Sequence, residues 1–181
     1  RKTDIKEKAL KENDSFPKVS LPGPDGKPVN IADLNKKSAL IITFYRGSWC
    51  PYCNLQLRAY QQSLPAFKKA GAELIAISPD LPDESLSLKE KENLEFFVLS
   101  DKDNQFAKKL GLVYSLPQDL KEVYLKFGIN LEKSTGTASW ELPLSATYVI
   151  DKTGKVRYAF IEEDYKKRAE PKDLIKILNE I

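Results

Sequence analysis

The feature that most limits the fold of this chain is a pair of cysteines placed between a buried strand and a helix. Residues 39–45, ALIITFY, form a nearly continuous apolar run, which is typical of a strand buried on both faces in a parallel sheet. The motif RGSWCPYC follows directly and holds Cys50 and Cys53, the only cysteines of the chain. Apolar side chains then recur every three or four positions over 53–67, which predicts one buried face of a helix. The sequence therefore predicts a strand–helix–strand unit with both thiols at the start of the helix.

The rest of the chain predicts further strands and helices of a single domain, 1–181, with no repeat or linker. A β-hairpin is expected over 16–34 and a helical extension within residues 1–15. We expect the aromatic side chains of 113–141 to pack in the core rather than to line a binding site. Further strands are predicted at 72–78, 96–100, 146–150 and 155–160, and helices before Gly111 and over 171–181.

Composition excludes several classes of function. The chain has no histidine, so Ser-His-Asp and Cys-His catalytic pairs and imidazole zinc sites are excluded, and no metal site is expected. No glycine-rich phosphate loop is present. The 29 basic and 26 acidic residues are interspersed and give a net charge of +3. The short basic cluster 166–168 is interpreted as solvated surface, and no nucleic-acid partner is expected.

The sequence leaves the compartment of the protein open. No stretch approaches the roughly 20 apolar residues of a membrane helix, so no membrane association is expected. The chain begins at Arg1 and contains no methionine. The cytoplasm is favoured, and a periplasmic or secreted location would apply if a leader was removed.

The two thiols are expected to have different roles. A thiolate is the reactive form of cysteine, and the first backbone N–H groups of a helix stabilise an anion. Cys50 is therefore expected to be the low-pKa, partly exposed nucleophile, with Arg46 adding a positive charge. Cys53, one turn further into the helix, is expected to be more buried and to act second. A purely structural disulfide is disfavoured, because closing so short a loop removes little chain entropy.

The stretch FYRGSWCPYCNLQLRAY, 44–60, resembles the peroxiredoxin-like branch of the alkyl hydroperoxide reductase/thiol-specific antioxidant family, of the RGxWCPYC type. Segments 16–34, 96–112, 142–156 and 164–178 also resemble this branch of the thioredoxin superfamily. The resemblance implies an α/β thioredoxin-like fold, with a central mixed sheet flanked by helices and an N-terminal β-hairpin extension. It also implies that Cys50 occupies the position of the nucleophilic cysteine.

The site departs from the family pattern at three positions. Typical peroxiredoxins have proline and threonine seven and three residues before the nucleophilic cysteine, where this chain has Thr43 and Gly47. They also have an arginine just before the late strand, where thioredoxin-like disulfide reductases have a cis-proline and this chain has Ser145. Arg46 is expected to supply the missing charge.

Three further residues are candidates for binding the substrate. Trp49 either lies at the substrate or packs against the sheet. Ser48 either hydrogen-bonds the peroxide or caps the helix, with capping favoured. The candidate site residues are Cys50, Cys53 and Arg46 for catalysis, and Trp49, Ser48 and Ser145 for substrate binding.

The predicted function is thiol-dependent peroxide reduction through a Cys50–Cys53 disulfide. A thioredoxin-type disulfide oxidoreductase and a non-catalytic redox sensor or binding module are the alternatives. No cofactor is expected beyond the cysteine pair. The expected partners are a peroxide or disulfide substrate, a thioredoxin- or glutaredoxin-like electron donor, and a second copy of the chain in a homodimer.

Overall fold

A five-stranded mixed sheet forms the centre of the computed structural model, which describes residues 2–181, with side chains from Asp4 onward. The strands of the chain are β1 (Ser20–Pro22), β2 (Pro28–Asn30), β3 (Ala39–Phe44), β4 (Ala72–Ser78), β5 (Phe97–Ser100), β6 (Val113–Ser115), β7 (Glu141–Pro143), β8 (Ser145–Ile150) and β9 (Val156–Glu162). The central sheet has the order β5-β4-β3-β8-β9.

Eight α-helices and a short 3-10 turn connect these strands within the described residues. The helices are α1 (Lys2–Lys8), α2 (Ile31–Lys37), α3 (Pro51–Lys69), α4 (Pro82–Lys91), α5 (Gln105–Lys109), α6 (Gln118–Lys126), α7 (Leu131–Thr135) and α8 (Pro171–Glu180). The 3-10 turn, Lys102–Asn104, immediately precedes α5. No helix within residues 2–181 has both the length and the apolar character needed to cross a bilayer.

The direction of the strands follows from the connections between them. β3, β4 and β5 are parallel, because a helix crosses over between each pair, whereas β8 and β9 are antiparallel to their neighbours. All six residues of β3 are buried, as the apolar run predicted. β1 and β2 form the predicted hairpin, with Leu21 opposite Val29. The predicted α/β architecture, a mixed sheet flanked by helices, is confirmed.

Alternate side chains of β3 enter two hydrophobic clusters on opposite faces of the sheet. Ile41 packs in the cluster that contains Leu57 of α3 and Leu174 of α8. Ile42 packs in the other, which contains Phe106 of α5. The helix that carries both cysteines is thus fixed to the sheet by its own apolar face.

The segment between β6 and β7 differs from the prediction. Trp140 is buried in a third, smaller cluster with Leu131 and Leu142, as expected for a core residue. Phe127 is 78% exposed, and no residue of α6 is buried. The expectation of core packing is thus confirmed for Trp140 and wrong for Phe127, because α6, which Phe127 follows, lies on the surface with only one side partly covered.

Candidate active site

The cysteine motif occupies the connection between β3 and α3. After β3 ends, the Tyr45 N–H still donates to the carbonyl of Ile77 in β4, at 3.0 Å. Cys50 is the N-cap residue of α3, with extended backbone angles, and Pro51 opens the first turn. The Cys50 sulfur accepts a hydrogen bond from the Cys53 N–H at 3.4 Å. A sulfur therefore holds the position that a Ser or Asp oxygen usually takes at a helix start.

Both thiols are free and buried. Cys50 is 1% exposed and Cys53 is fully buried, and neither forms a disulfide. The expectation that Cys50 is partly exposed was wrong. Its side chain packs into the same cluster as Tyr45 and Leu57, below the half-buried Trp49, instead of pointing outward from the helix end. A substrate therefore reaches the sulfur only after side chains around it move.

Cys50 has the lower pKa of the two thiols, as expected from the sequence. The main cause is its interaction with Cys53 and not the charge of Arg46. The pKa of Cys50 is lowered to about 6, chiefly by its hydrogen bond with the Cys53 thiol and then by the Cys53 N–H, against the opposing effect of burial. The charge of Arg46 lowers it further but ranks behind these hydrogen bonds. The pKa of Cys53 is raised, first by burial and then by its interaction with Cys50. At neutral pH the pair therefore holds one thiolate, on Cys50.

Arg46 is buried in an aromatic cage beside the thiols. Its guanidinium lies 4.5 Å from the centre of the Tyr165 ring and 4.8 Å from that of Trp49. One guanidinium nitrogen also donates to the hydroxyl of Tyr124 in α6. Cation–π contacts of this kind hold a desolvated arginine in place and keep its charge. The structure thus brings Arg46 and Trp49 together next to Cys50.

The basic cluster 166–168 does not lie wholly in solvent. Lys166 and Lys167 are exposed, but Arg168 turns inward and donates from Nη2 to the sulfur of Cys53 at 3.3 Å. Its Nη1 donates to Gln56 of α3 at 3.2 Å. The interpretation of this cluster as solvated surface was wrong at Arg168, because the guanidinium finds acceptors on α3 that no local pattern reveals.

Comparison with known proteins identifies the family. Residues 13–159 match the AhpC/TSA family along their length. The chain belongs to the AhpC/TSA family. Peroxiredoxin Bcp of Escherichia coli (strain K12) is 31% identical over 157 residues, which cover 87% of this chain and 88% of that protein. Chloroplastic peroxiredoxin Q of Sedum lineare is 32% identical over 160 residues, covering 83% of this chain and 74% of that protein.

A solved structure supports the same fold. The crystal structure of peroxidoxin BcpB from Mycobacterium tuberculosis superposes with a TM-score of 0.77 at 20% identity, over 95% of this chain and 98% of that one. The thioredoxin-like fold predicted for this AhpC/TSA protein is confirmed. The relatives also confirm the prediction of a thiol peroxidase of the peroxiredoxin kind.

Gly47 of this AhpC/TSA protein is a glycine because Trp49 folds over it. A Cβ at position 47 would collide with the indole nitrogen of Trp49 and would lie 3.0 Å from Oδ1 of Asp80. Its φ of 153° is also one that side-chain-bearing residues rarely adopt. The threonine that typical peroxiredoxins have three residues before the nucleophile cannot fit here without displacing Trp49.

Thr43 and Ser145 are the other two positions at which this chain departs from the family pattern. Thr43 shares a hydrogen bond between hydroxyl groups with Thr147 across β3 and β8, at 2.9 Å. Ser145 begins β8 opposite Glu162 and is 4% exposed. Its hydroxyl has no hydrogen-bond partner among the described residues. Ser145 thus lies at the same end of the sheet as the motif, and its substrate-binding role stays a prediction.

Ser48 does not cap α3, contrary to the favoured expectation, because Cys50 does. The Ser48 N–H donates to Oδ2 of Asp80 at 2.8 Å, and its carbonyl accepts from the Asn54 side chain at 2.9 Å. These bonds fix the main chain just before the thiols. Burial raises the pKa of Asp80 to about 7, against the lowering effect of its hydrogen bonds from Ser48.

Replacing Asp80 by asparagine is expected to stabilise the protein at pH 8 by roughly 4 kcal/mol and to have little effect below pH 4. The wild-type carboxyl ionises near pH 4 in the unfolded chain but near pH 7 when folded. Folding therefore takes up a proton between these values, and stability falls as pH rises through them. Asparagine at position 80 does not titrate, so this dependence of stability on pH is lost. Its side-chain oxygen still accepts a hydrogen bond from the Ser48 N–H.

Urea denaturation of the reduced protein at pH 4, 6 and 8 measures the effect. The exposed Asp83, at the start of α4, supplies the matched control Asp83→Asn. A difference between Asp80→Asn and wild type that stays constant from pH 4 to 8 would contradict the raised pKa of Asp80.

Sequence reasoning missed three residues of this site. Asp80, Tyr124 and Arg168 lie 32, 78 and 115 positions from the residues they contact in or beside the motif. Only Asp80 could have been identified from the sequence. It follows the carboxyl end of a predicted parallel strand, at the same edge of the sheet as the cysteine motif. Tyr124 was expected to pack in the core, and Arg168 lies in a basic cluster interpreted as solvated surface, so neither was connected with the site.

Proposed function

We propose that this protein reduces hydroperoxides with Cys50 as the attacking thiol and Cys53 as the resolving thiol. The observation that carries the proposal is the position of the Cys50 sulfur at the start of α3, where it accepts a hydrogen bond from the Cys53 N–H at 3.4 Å. The interactions with Cys53 lower the pKa of Cys50 to about 6. The Cys50 thiolate attacks the distal peroxide oxygen, the O–O bond breaks, and the second oxygen leaves as an alkoxide or hydroxide, which takes a proton from water to give an alcohol or water. Cys50 is then a sulfenic acid.

Cys53 completes the cycle. Its sulfur attacks the Cys50 sulfenic sulfur, and a disulfide and water form. The spacing suits this step, because the two residues share the first turn of α3. An external thiol, of the thioredoxin or glutaredoxin kind, then reduces the disulfide, so the cycle needs only the cysteine pair and this donor.

Arg46 supports the first step in this proposal. It lowers the pKa of Cys50 through its charge. The same charge also stabilises the negative oxygen that leaves as the peroxide bond breaks. Its position in the aromatic cage keeps water from screening it. Arg46 thus takes the part that the resemblance assigns to an arginine at the position of Ser145.

We propose that substrate enters beside Trp49 and Ser48. Both residues line a surface cleft of about 200 Å³, together with Ile129 and Asn130 from the loop before α7. Cys50 and Ser145 are both absent from this lining, so the substrate would pass Trp49 to reach the buried sulfur. Ser145 would contribute from the start of β8. The homodimer expected from the sequence stays a prediction, which light scattering in solution would test.

A comparison of two activities tests the proposed function. Hydrogen peroxide consumption with a thioredoxin system as reductant is expected to show a second-order rate constant far above that of free cysteine. Insulin disulfide reduction is expected to be slow by comparison. If Cys50 reacts with peroxide no faster than free cysteine and the protein readily reduces insulin, the thioredoxin-type alternative is correct. Oxidation of the thiols without turnover in either assay would favour a redox sensor.

A further inference from the structure

The guanidinium of Arg168 is held against the resolving thiol by a closed ring of hydrogen bonds. Nη2 contacts the Cys53 sulfur and Nη1 contacts Oε1 of Gln56. The Gln56 amide donates to the Tyr60 hydroxyl at 2.6 Å, and that hydroxyl donates to the carbonyl of Ala169 at 2.8 Å. The ring therefore returns to the residue next to Arg168. Its three members on α3, at positions 53, 56 and 60, share one face of the helix.

The backbone that carries Arg168 is anchored on both sides. Ala169 is 2% exposed and packs in the same hydrophobic cluster as Cys53. Pro171 opens α8 two residues later, and α8 packs against α3. The neighbouring Lys167 is exposed, so the inward position belongs to Arg168 and not to the basic cluster as a whole.

Cys53 needs a cation because its surroundings oppose ionisation. Burial raises its pKa, and the hydrogen bond and negative charge of Cys50 raise it further. The charge of Arg168 acts in the opposite direction. When Cys50 becomes a sulfenic acid its negative charge is lost, whereas the attraction by Arg168 remains. The protonation equilibrium of Cys53 therefore shifts from thiol toward thiolate only after Cys50 has reacted with a peroxide.

We propose that Arg168 is a fourth catalytic group, beside Cys50, Cys53 and Arg46, which activates Cys53 for attack on the Cys50 sulfenic acid by donating a hydrogen bond to its sulfur. This inference rests on the peroxidase cycle proposed above. In the step, the Cys53 sulfur forms a bond to the Cys50 sulfur and the Cys50 S–O bond breaks. The departing hydroxide combines with the proton from Cys53 to give water. Cys53 is oxidised and Cys50 is reduced from sulfenic acid to disulfide.

The first test does not depend on peroxide chemistry. In a Cys50→Ser background Cys53 is the only thiol, and its ionisation is followed by thiolate absorbance. Arg168→Gln is expected to raise the pKa of Cys53, whereas the exposed neighbour Lys167→Gln leaves it unchanged. Arg168→Met, which keeps the apolar stem, is expected to act like Arg168→Gln, and Arg168→Lys is expected to lie between these variants and wild type. Identical titration curves for wild type and both uncharged variants would overturn the proposal.

The second test measures the step itself. With both cysteines present, one equivalent of hydrogen peroxide is added and the Cys50 sulfenic acid is trapped with dimedone at successive times, with mass spectrometry as readout. Arg168→Gln is expected to slow the disappearance of the sulfenic acid about tenfold and to slow its formation much less. Disappearance within twofold of wild type in both uncharged variants would overturn the proposal. If Cys50 fails to react with peroxide, the proposed function fails, and the titration still decides whether Arg168 acts on Cys53.

Discussion

Replacing Cys50 by serine is expected to abolish peroxide turnover, while replacing Cys53 by serine leaves a protein that consumes one peroxide per chain and then stops. Cys50 carries the thiolate at neutral pH, and serine in its place has no nucleophile of comparable strength. In Cys53→Ser the first oxidation still occurs, because the serine N–H still donates to the Cys50 sulfur. Its rate is expected to fall, since the thiol of Cys53 is the largest contribution to the low pKa of Cys50.

Rapid mixing with hydrogen peroxide, followed by mass spectrometry of the intact chain, measures both variants. Cys53→Ser is expected to gain one oxygen atom and, in excess peroxide, to progress to the sulfinic acid, since no second thiol in the chain can trap the intermediate. Wild type is expected to show only the loss of two hydrogens that marks the disulfide. Oxidation of Cys53 in the Cys50→Ser variant at the wild-type rate would reverse the assigned roles.

Replacing Arg46 by glutamine is expected to slow the reaction of Cys50 with peroxide by roughly ten- to a hundredfold at pH 7. Two effects combine. The pKa of Cys50 rises when the nearby charge is removed, so less thiolate is present. The oxygen that leaves the peroxide also loses a stabilising cation. A higher pH restores the fraction of Cys50 that is thiolate. The reaction rate of Arg46→Gln is therefore expected to recover in part as pH increases.

Stopped-flow kinetics and a thiolate absorbance titration separate the two effects of Arg46. Arg46→Lys keeps the charge but loses the planar contacts with Trp49 and Tyr165, and its rate is expected to be intermediate. Arg58→Gln is the matched control, because Arg58 lies on α3, the helix that begins at the thiols, and is half-exposed and paired with Glu92. An unchanged titration curve together with a wild-type rate in Arg46→Gln would assign Arg46 to packing alone.

Local sequence patterns are sufficient to predict the central strand–helix–strand unit of the fold. The apolar run of β3, the helical repeat of α3 and the proline after Cys50 are local patterns, and each maps directly onto backbone geometry. The position of both thiols at the start of a helix followed from these patterns alone. So did the hairpin of β1 and β2, since its turn residues lie between its two strands.

The surroundings of the thiols depend on contacts between segments that are far apart in the sequence. Arg168 contacts Cys53 from 115 positions away, and Tyr124 contacts Arg46 from 78 positions away. A charged residue on a surface-like stretch gives the same local pattern whether it faces water or a buried sulfur, and an aromatic residue expected in the core gives no indication of which polar group it contacts. The burial of Cys50, which the sequence did not predict, has the same origin. Solvent exposure and the pKa of a thiol depend on every group that packs around it, and those groups are brought together only when distant segments of the chain close over the sheet.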